Sequence, residues 1–120
     1  MPETDSALRD GLLPADLLPA AVRQMVRLVA PHRTERVTAE HQLIGDLGFH
    51  SLALAELGFT LEDLFGLDAI TPERAMALRT VGDLVALIEG ALAEDAARLP
   101  SREEVEAVCA QYGAAWDPEA

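Results

Sequence analysis

Residues Gly48 to Leu67 read GFHSLALAELGFTLEDLFGL, and this stretch decides the fold. Leu54, Leu57, Leu61 and the pair Leu64/Phe65 recur at i, i+3, i+7 and i+10/11, the stripe that an amphipathic helix buries. The spacing predicts a helix from about Ser51 to Phe65, ended by Gly66, a residue suited to a C-terminal cap. Gly58 falls mid-helix, where glycine costs about 1 kcal/mol against alanine, so its presence predicts compensating packing. Ser51 stands at the mouth of this helix, its hydroxyl carried on a rigid element. Nothing nearby is suited to activate it: there is no Gly-rich phosphate loop, and the adjacent His50 points elsewhere than a triad requires. A serine displayed in this way is one that is modified, not one that attacks.

Helical periodicity continues on both sides. Leu18, Val22, Met25/Val26 and Val29 form a stripe that Pro19 opens and Pro31 stops. From His32 to Gly48 there is no sustained period, yet Val37, Leu43, Ile44 and Leu47 predict a long loop pinned onto the core. Loops of that length in a small domain are usually functional. Thr71-Pro72-Glu73 opens a short helix. Thr80 and Asp83 form a capping box, Asp replacing the usual Glu, ahead of the stripe Val81, Leu84/Val85, Ile88 and Ala91/Leu92. The Ala- and acid-rich stretch beyond Gly90 leaves room for that helix to run on toward Pro100. Ser101 and Glu104 make a second box before Val105, Val108/Cys109 and Tyr112, predicting a helix near 101–112 closed by Gly113.

No segment alternates with period two, so the expectation is an all-α chain. Residues 1–16 read as a flexible tail, 17–94 as a helical bundle, and 95–120 as an extension that packs on the bundle or docks onto a partner, Trp116 included.

The totals narrow the function. At 120 residues the chain is one domain, and with 50% apolar but only 4% aromatic residues its core must be Leu, Val, Ile and Ala. A formal charge of −12 argues against nucleic acid or an anionic membrane as partners and for basic proteins. Cys109 is the single cysteine, so no intrachain disulfide is available and a reducing compartment is the natural setting. No apolar run approaches a membrane span, and Met1-Pro2-Glu3-Thr4-Asp5 lacks the character of a signal peptide, so a cytoplasmic protein is expected. His32, His41 and His50 are spaced nine apart, which fits no metal-ligand pattern, and no metal is expected.

The run Asp46-Leu47-Gly48-Phe49-His50-Ser51-Leu52, followed by Glu56, Glu62-Asp63 and Phe65-Gly66, resembles the signature of the acyl carrier proteins, within the phosphopantetheine-binding carrier family. Val37-Thr38-Ala39-Glu40 resembles that family's loop before the signature, and Thr80-Val81-Gly82-Asp83 the start of its last helix. The likeness covers roughly Ala20 to Leu92. It implies a four-helix carrier bundle of three long helices and one short, here with an additional C-terminal helix. It also implies that a phosphopantetheinyl transferase attaches 4′-phosphopantetheine from coenzyme A to Ser51. Thioester-bound intermediates would then be presented to an acyltransferase, a ketosynthase or other acyl-processing enzymes. No catalysis by the chain itself is expected, and a monomer is.

Two departures from the signature carry weight. His50 stands where the family has Asp, as in many peptidyl carriers, although Phe49 matches the acyl carriers. Ala53 and Ala55 leave Glu56 as the first carboxylate of the helix. Both favour polyketide or related secondary-metabolite biosynthesis over a housekeeping fatty-acid role. They leave open a stand-alone aminoacyl or peptidyl carrier, and an unmodified helical adaptor stays a third reading.

A phosphodiester at Ser51 would sit where free N–H groups and the helix dipole favour negative charge. The plain alternative for Ser51 is a helix N-cap. His50, Leu52, Glu56, Glu62 and Asp63 are candidate partner-binding residues. Against those roles stand a solvent-facing loop residue for His50, a core contact for Leu52 and a solvated face for the carboxylates. Asp46 is expected to fix its loop by accepting backbone hydrogen bonds.

Overall fold

Each apolar stripe forms one face of a helix in the computed structural model, which describes residues 12–32, 34–68 and 72–117. A 3-10 turn at Ala15–Leu17 leads into α1 (Leu18–Val29); α2 (Ser51–Phe65), the short α3 (Pro72–Ala77), α4 (Val81–Ala93) and α5 (Arg102–Gln111) follow. Among the described residues there is no strand, only isolated antiparallel pairings of Leu12 with Ser101 and Gln42 with Thr80. Thr71 lies outside the described residues.

The core is where three long helices meet. Leu18, Val22, Met25 and Val26 of α1 are buried against Leu57, Leu61, Leu64 and Phe65 of α2 and Val81, Leu84 and Ile88 of α4. Each such side chain contributes about 1.5–3 kcal/mol relative to exposure. The ends of α2 follow local chemistry: Gly66 at its C-cap takes φ 62°, the left-handed conformation that glycine adopts without strain.

The loop between α1 and α2 is pinned, as the scattered apolar residues predict. Val37, Leu43 and Leu47 are buried, and Phe49 joins them. Backbone bonds latch the loop to the start of α4: Leu43 N–H to Arg79 O at 3.0 Å, Val81 N–H to His41 O at 3.0 Å and Gly82 N–H to Ala39 O at 2.9 Å. Ile44 departs from the expectation, 55% exposed. Its neighbour Leu43 takes the core position, and adjacent residues in a tight turn cannot both face inward.

Two further expectations are corrected. α4 stops at Ala93 instead of running on: Ala96 N–H turns back to Ala91 O at 2.7 Å, and Asp95 takes φ 59°. The reversal lets Arg98 N–H reach Phe65 O at 2.7 Å, so the chain returns across the end of α2. Gly58 lacks the compensating packing, since a Cβ there would meet only Glu62 Oε2 at 3.9 Å.

The C-terminal segment is seated on the bundle. α5 begins with a full capping box, Ser101 with Glu104, and inserts Val105 and Cys109 into the core. Burial pushes the Cys109 thiol up from its ordinary pKa, which leaves it an inert packing group. Gln24 of α1, only 5% exposed, donates through Nε2 to Ala115 O at 2.7 Å and accepts from Asp117 N–H at 3.0 Å. The stretch read as a tail is also held where it is described: Leu13 is buried and donates to Pro100 O at 2.9 Å. Residues 1–11 lie outside the described residues.

Candidate functional site

The turn Gln42–His50 determines how Ser51 is presented. Asp46 Oδ2 accepts from Gln42 N–H at 2.7 Å, closing the turn as expected of an Asp in that place. Gly48 takes φ 74°, and a Cβ there would fall 2.7 Å from the ring of His32, so this close approach excludes a larger residue. Phe49, buried, then anchors the backbone one step before the helix.

His50, not Ser51, is the N-cap of α2. Its backbone is extended at φ −127°, and Nδ1 accepts from Ala53 N–H at 3.4 Å. The plain-cap reading of Ser51 is therefore overturned, and His50 is more than a solvent-facing loop residue. Ser51 is the first helical residue, exposed, with no hydrogen bond to its Oγ among the described residues. The N–H groups of Ser51 and Leu52 belong to the first turn, which has no intrahelical acceptor, and both remain open to a ligand. An exposed hydroxyl beside open donors at the positive end of a helix suits a covalently attached phosphodiester.

The other candidates line one side of α2 to different extents. Leu52 is 76% exposed, which removes the core reading for it. Glu56 and Asp63 are exposed, and Glu62 is half-buried. Glu56 accepts from the Tyr112 hydroxyl at 2.6 Å. Phe59, 69% exposed, is the residue sequence reasoning passed over. Its signal was legible: it lies two turns from Leu52 and out of phase with the core stripe. Leu52, Glu56, Phe59 and Asp63 thus share a face on which an apolar pair is interleaved with carboxylates, and α2 carries no basic residue.

Elsewhere, a groove of about 480 Å³ lies between the segment after α2 and the second half of α4, lined by Leu67, Asp68, Arg74, Leu87, Ala91 and Glu94. It is at the opposite end of α2 from Ser51, about 22 Å away along the helix. Among the described residues no three His, Cys, Asp or Glu side chains are grouped to hold a metal, and no helix is long and apolar enough to cross a membrane.

Residues 20–88 match the family described as "Phosphopantetheine attachment site". The chain belongs to that family. Among its relatives is the acyl carrier protein of Rhodococcus erythropolis, 35% identical over 77 residues, which are 64% of this chain and 84% of that one. A meromycolate extension acyl carrier protein of Mycobacterium tuberculosis is 33% identical over 70 residues, and the match spans 58% of this chain and 60% of the relative. An acyl carrier protein of Coprothermobacter proteolyticus is 36% identical over 58 residues, 48% of this chain and 70% of that one. The family match leaves α5 and the residues after it outside its bounds. Within the family the chain is an acyl carrier protein: a carrier and not an enzyme, with 4′-phosphopantetheine as its covalent prosthetic group.

Proposed function

We propose that Ser51 is the residue that bears 4′-phosphopantetheine, and that the chain carries acyl intermediates as thioesters on it. The observation that carries this reading is the hydroxyl itself, exposed and without a partner, at the first position of α2. A phosphopantetheinyl transferase forms the new P–O bond at Ser51 Oγ as a P–O bond of the coenzyme A pyrophosphate breaks, and adenosine 3′,5′-bisphosphate and the serine proton leave. The attached group supplies the terminal thiol on which an acyl chain is held. The chain's own residues do the rest. His50 ties up the Ala53 N–H and leaves those of Ser51 and Leu52 to face the phosphate. The stability of α2 holds the attachment point at a fixed distance from the docking face.

That face comprises His50 at the tip, then Leu52, Glu56, Phe59 and Asp63, with Glu62 at its margin. Its charge suits basic acyl-processing enzymes such as an acyltransferase or ketosynthase, as well as the transferase. The carrier unit is 17–94, with 95–120 as an extension packed onto it, and the protein works as a cytoplasmic monomer.

Polyketide or related secondary-metabolite biosynthesis is the pathway class proposed, because α2 has no acidic residue in its first turn and a histidine at its cap. His50 also favours a second reading, a stand-alone aminoacyl or peptidyl carrier. The relatives named for meromycolate extension bring a third, long fatty-acyl chains.

Intact mass after co-expression with a phosphopantetheinyl transferase is the test. A gain of one phosphopantetheinyl group, absent in Ser51→Ala with unchanged circular dichroism, is expected. No gain with any transferase defeats the reading in favour of an unmodified adaptor. The mass of the natively loaded form then separates polyketide-type acyl, aminoacyl and long fatty-acyl cargo.

A further inference from the structure

The C-terminal segment reaches the docking face at Tyr112, which bonds to Glu56, and Arg98 of the same segment lies within electrostatic reach of Asp63. Tyr112 directly follows α5, and its position is fixed from both sides. Before it, Val105 and Cys109 are locked in the core. After it, Gly113 takes φ 73°, Ala114 N–H returns to Cys109 O at 2.9 Å, and Gln24 clamps the backbone at Ala115 and Asp117. Held in this way, the phenol lies on α2 and donates to Glu56 Oε2 at 2.6 Å, with the Thr60 hydroxyl beside it. Glu56 is one helical turn beyond Leu52 and one turn short of Phe59 and Thr60. The surface next to Ser51 is therefore built from two segments of chain that lie 56 positions apart.

We infer that Tyr112 is a specificity-determining residue of the carrier. Its hydroxyl engages the Glu56 carboxylate, and its ring, partly exposed beside Glu56 and Thr60, adds apolar surface on the flank of the face that carries Leu52 and Phe59. The inference rests on the proposal that the exposed face of α2 is where enzymes dock. The partner it selects offers an apolar recess to Leu52, Phe59 and Tyr112 and places no arginine or lysine opposite Glu56, while Asp63 already has Arg98 of this chain within electrostatic reach. Charge complementarity supports a basic partner, since the chain carries −12 and α2 has no cation of its own.

The experiment is the rate of phosphopantetheinylation by a transferase with coenzyme A. It is followed by intact mass at low and high salt, on the full chain and on Tyr112→Phe, Tyr112→Phe/Glu56→Gln, Leu52→Ala and Phe59→Ala. Thermal melts run alongside. Tyr112→Phe removes one exposed hydroxyl and keeps the ring, so its melt stays close to that of the wild type. Its rate rises roughly threefold at low salt, because the released carboxylate adds attraction that salt screens, and the gain disappears in the double variant and at high salt. If Leu52→Ala and Phe59→Ala slow the reaction while Tyr112→Phe matches the wild type at both salt concentrations, the role of Tyr112 is overturned and the docking face stands. If none of the variants differs from the wild type, the docking face is itself wrong and the inference falls with it.

Discussion

Gln24 and Ala115 lie 91 positions apart and are joined by a hydrogen bond of 2.7 Å from a buried side-chain amide to a backbone carbonyl. Gln24 is the buried polar residue among those described, and its carbonyl oxygen is also used, by Asp117 N–H at 3.0 Å. A buried amide costs free energy unless it is satisfied, so α1 requires the segment after α5 to be in place. The extension is a structural part of the bundle.

Truncation after Leu92 consequently destabilises the carrier. It removes Val105 and Cys109 from the core and strands the Gln24 amide, a loss of about 3–5 kcal/mol. Gln24→Ala alone should cost about 1–2 kcal/mol. Urea unfolding of both variants is the check, and a truncated protein with an unchanged midpoint would show that the bundle stands without its extension.

Gly58→Ala should do the opposite. The site is helical and half-buried, and the added methyl finds no neighbour nearer than 3.9 Å. Helix propensity alone then predicts a gain of about 1 kcal/mol, visible as a higher melting temperature. A loss would mean that α2 must bend or yield at this point in the native state.

At the tip of α2, Ser51→Ala should leave stability within about 0.5 kcal/mol of wild type, because the hydroxyl bonds to nothing in the fold. His50→Asp should stabilise by about 0.5 kcal/mol, since a carboxylate is a better cap acceptor than an imidazole at 3.4 Å and suits the helix dipole. Chemical denaturation of the two variants tests both values, and a clear drop in either contradicts the cap assignment.

Acid tests the Arg98–Glu104 pair. The Arg98 guanidinium, with the Ser101 N–H next in effect, lowers the Glu104 carboxyl from 4.5 to about 2. In this range the unfolded chain binds a proton that the folded one does not. The contribution of the pair is thus whole above pH 4.5 and lost as pH falls toward 2. Both side chains are about half exposed, and screening limits the effect to about 1 kcal/mol. The stability gap between wild type and Glu104→Gln should therefore close between those two pH values, and a gap that persists in acid would remove the ion pair as its cause.

Much of this was legible in the chain because the physics is local. The limits of α2 follow from the leucine spacing and Gly66, and the capping boxes at Thr80 and Ser101 were readable from residues three apart. Ser51 could be singled out because its neighbours within a few positions carry the signature. Legibility failed where the environment comes from afar. Ile44 and Leu43 are both apolar, and only the packing of the loop on Arg79 chooses Leu43 for the core. The stop of α4 at Ala93 has no strong breaker, and it follows from the demand of Phe65 for the returning chain.

Sequence by itself determined that this chain is helical, where most of its helices begin and end, and that one serine heads the second of them. Those properties depend on hydrogen bonds and side-chain phases spanning one or two helical turns. Tertiary structure decided which exposed residues stand together beside that serine. Tyr112 meets Glu56, and Gln24 meets Ala115, only after separate helices have buried their apolar faces against one another. No local pattern encodes such meetings, because they depend on the relative placement of helices that the connecting chain leaves free.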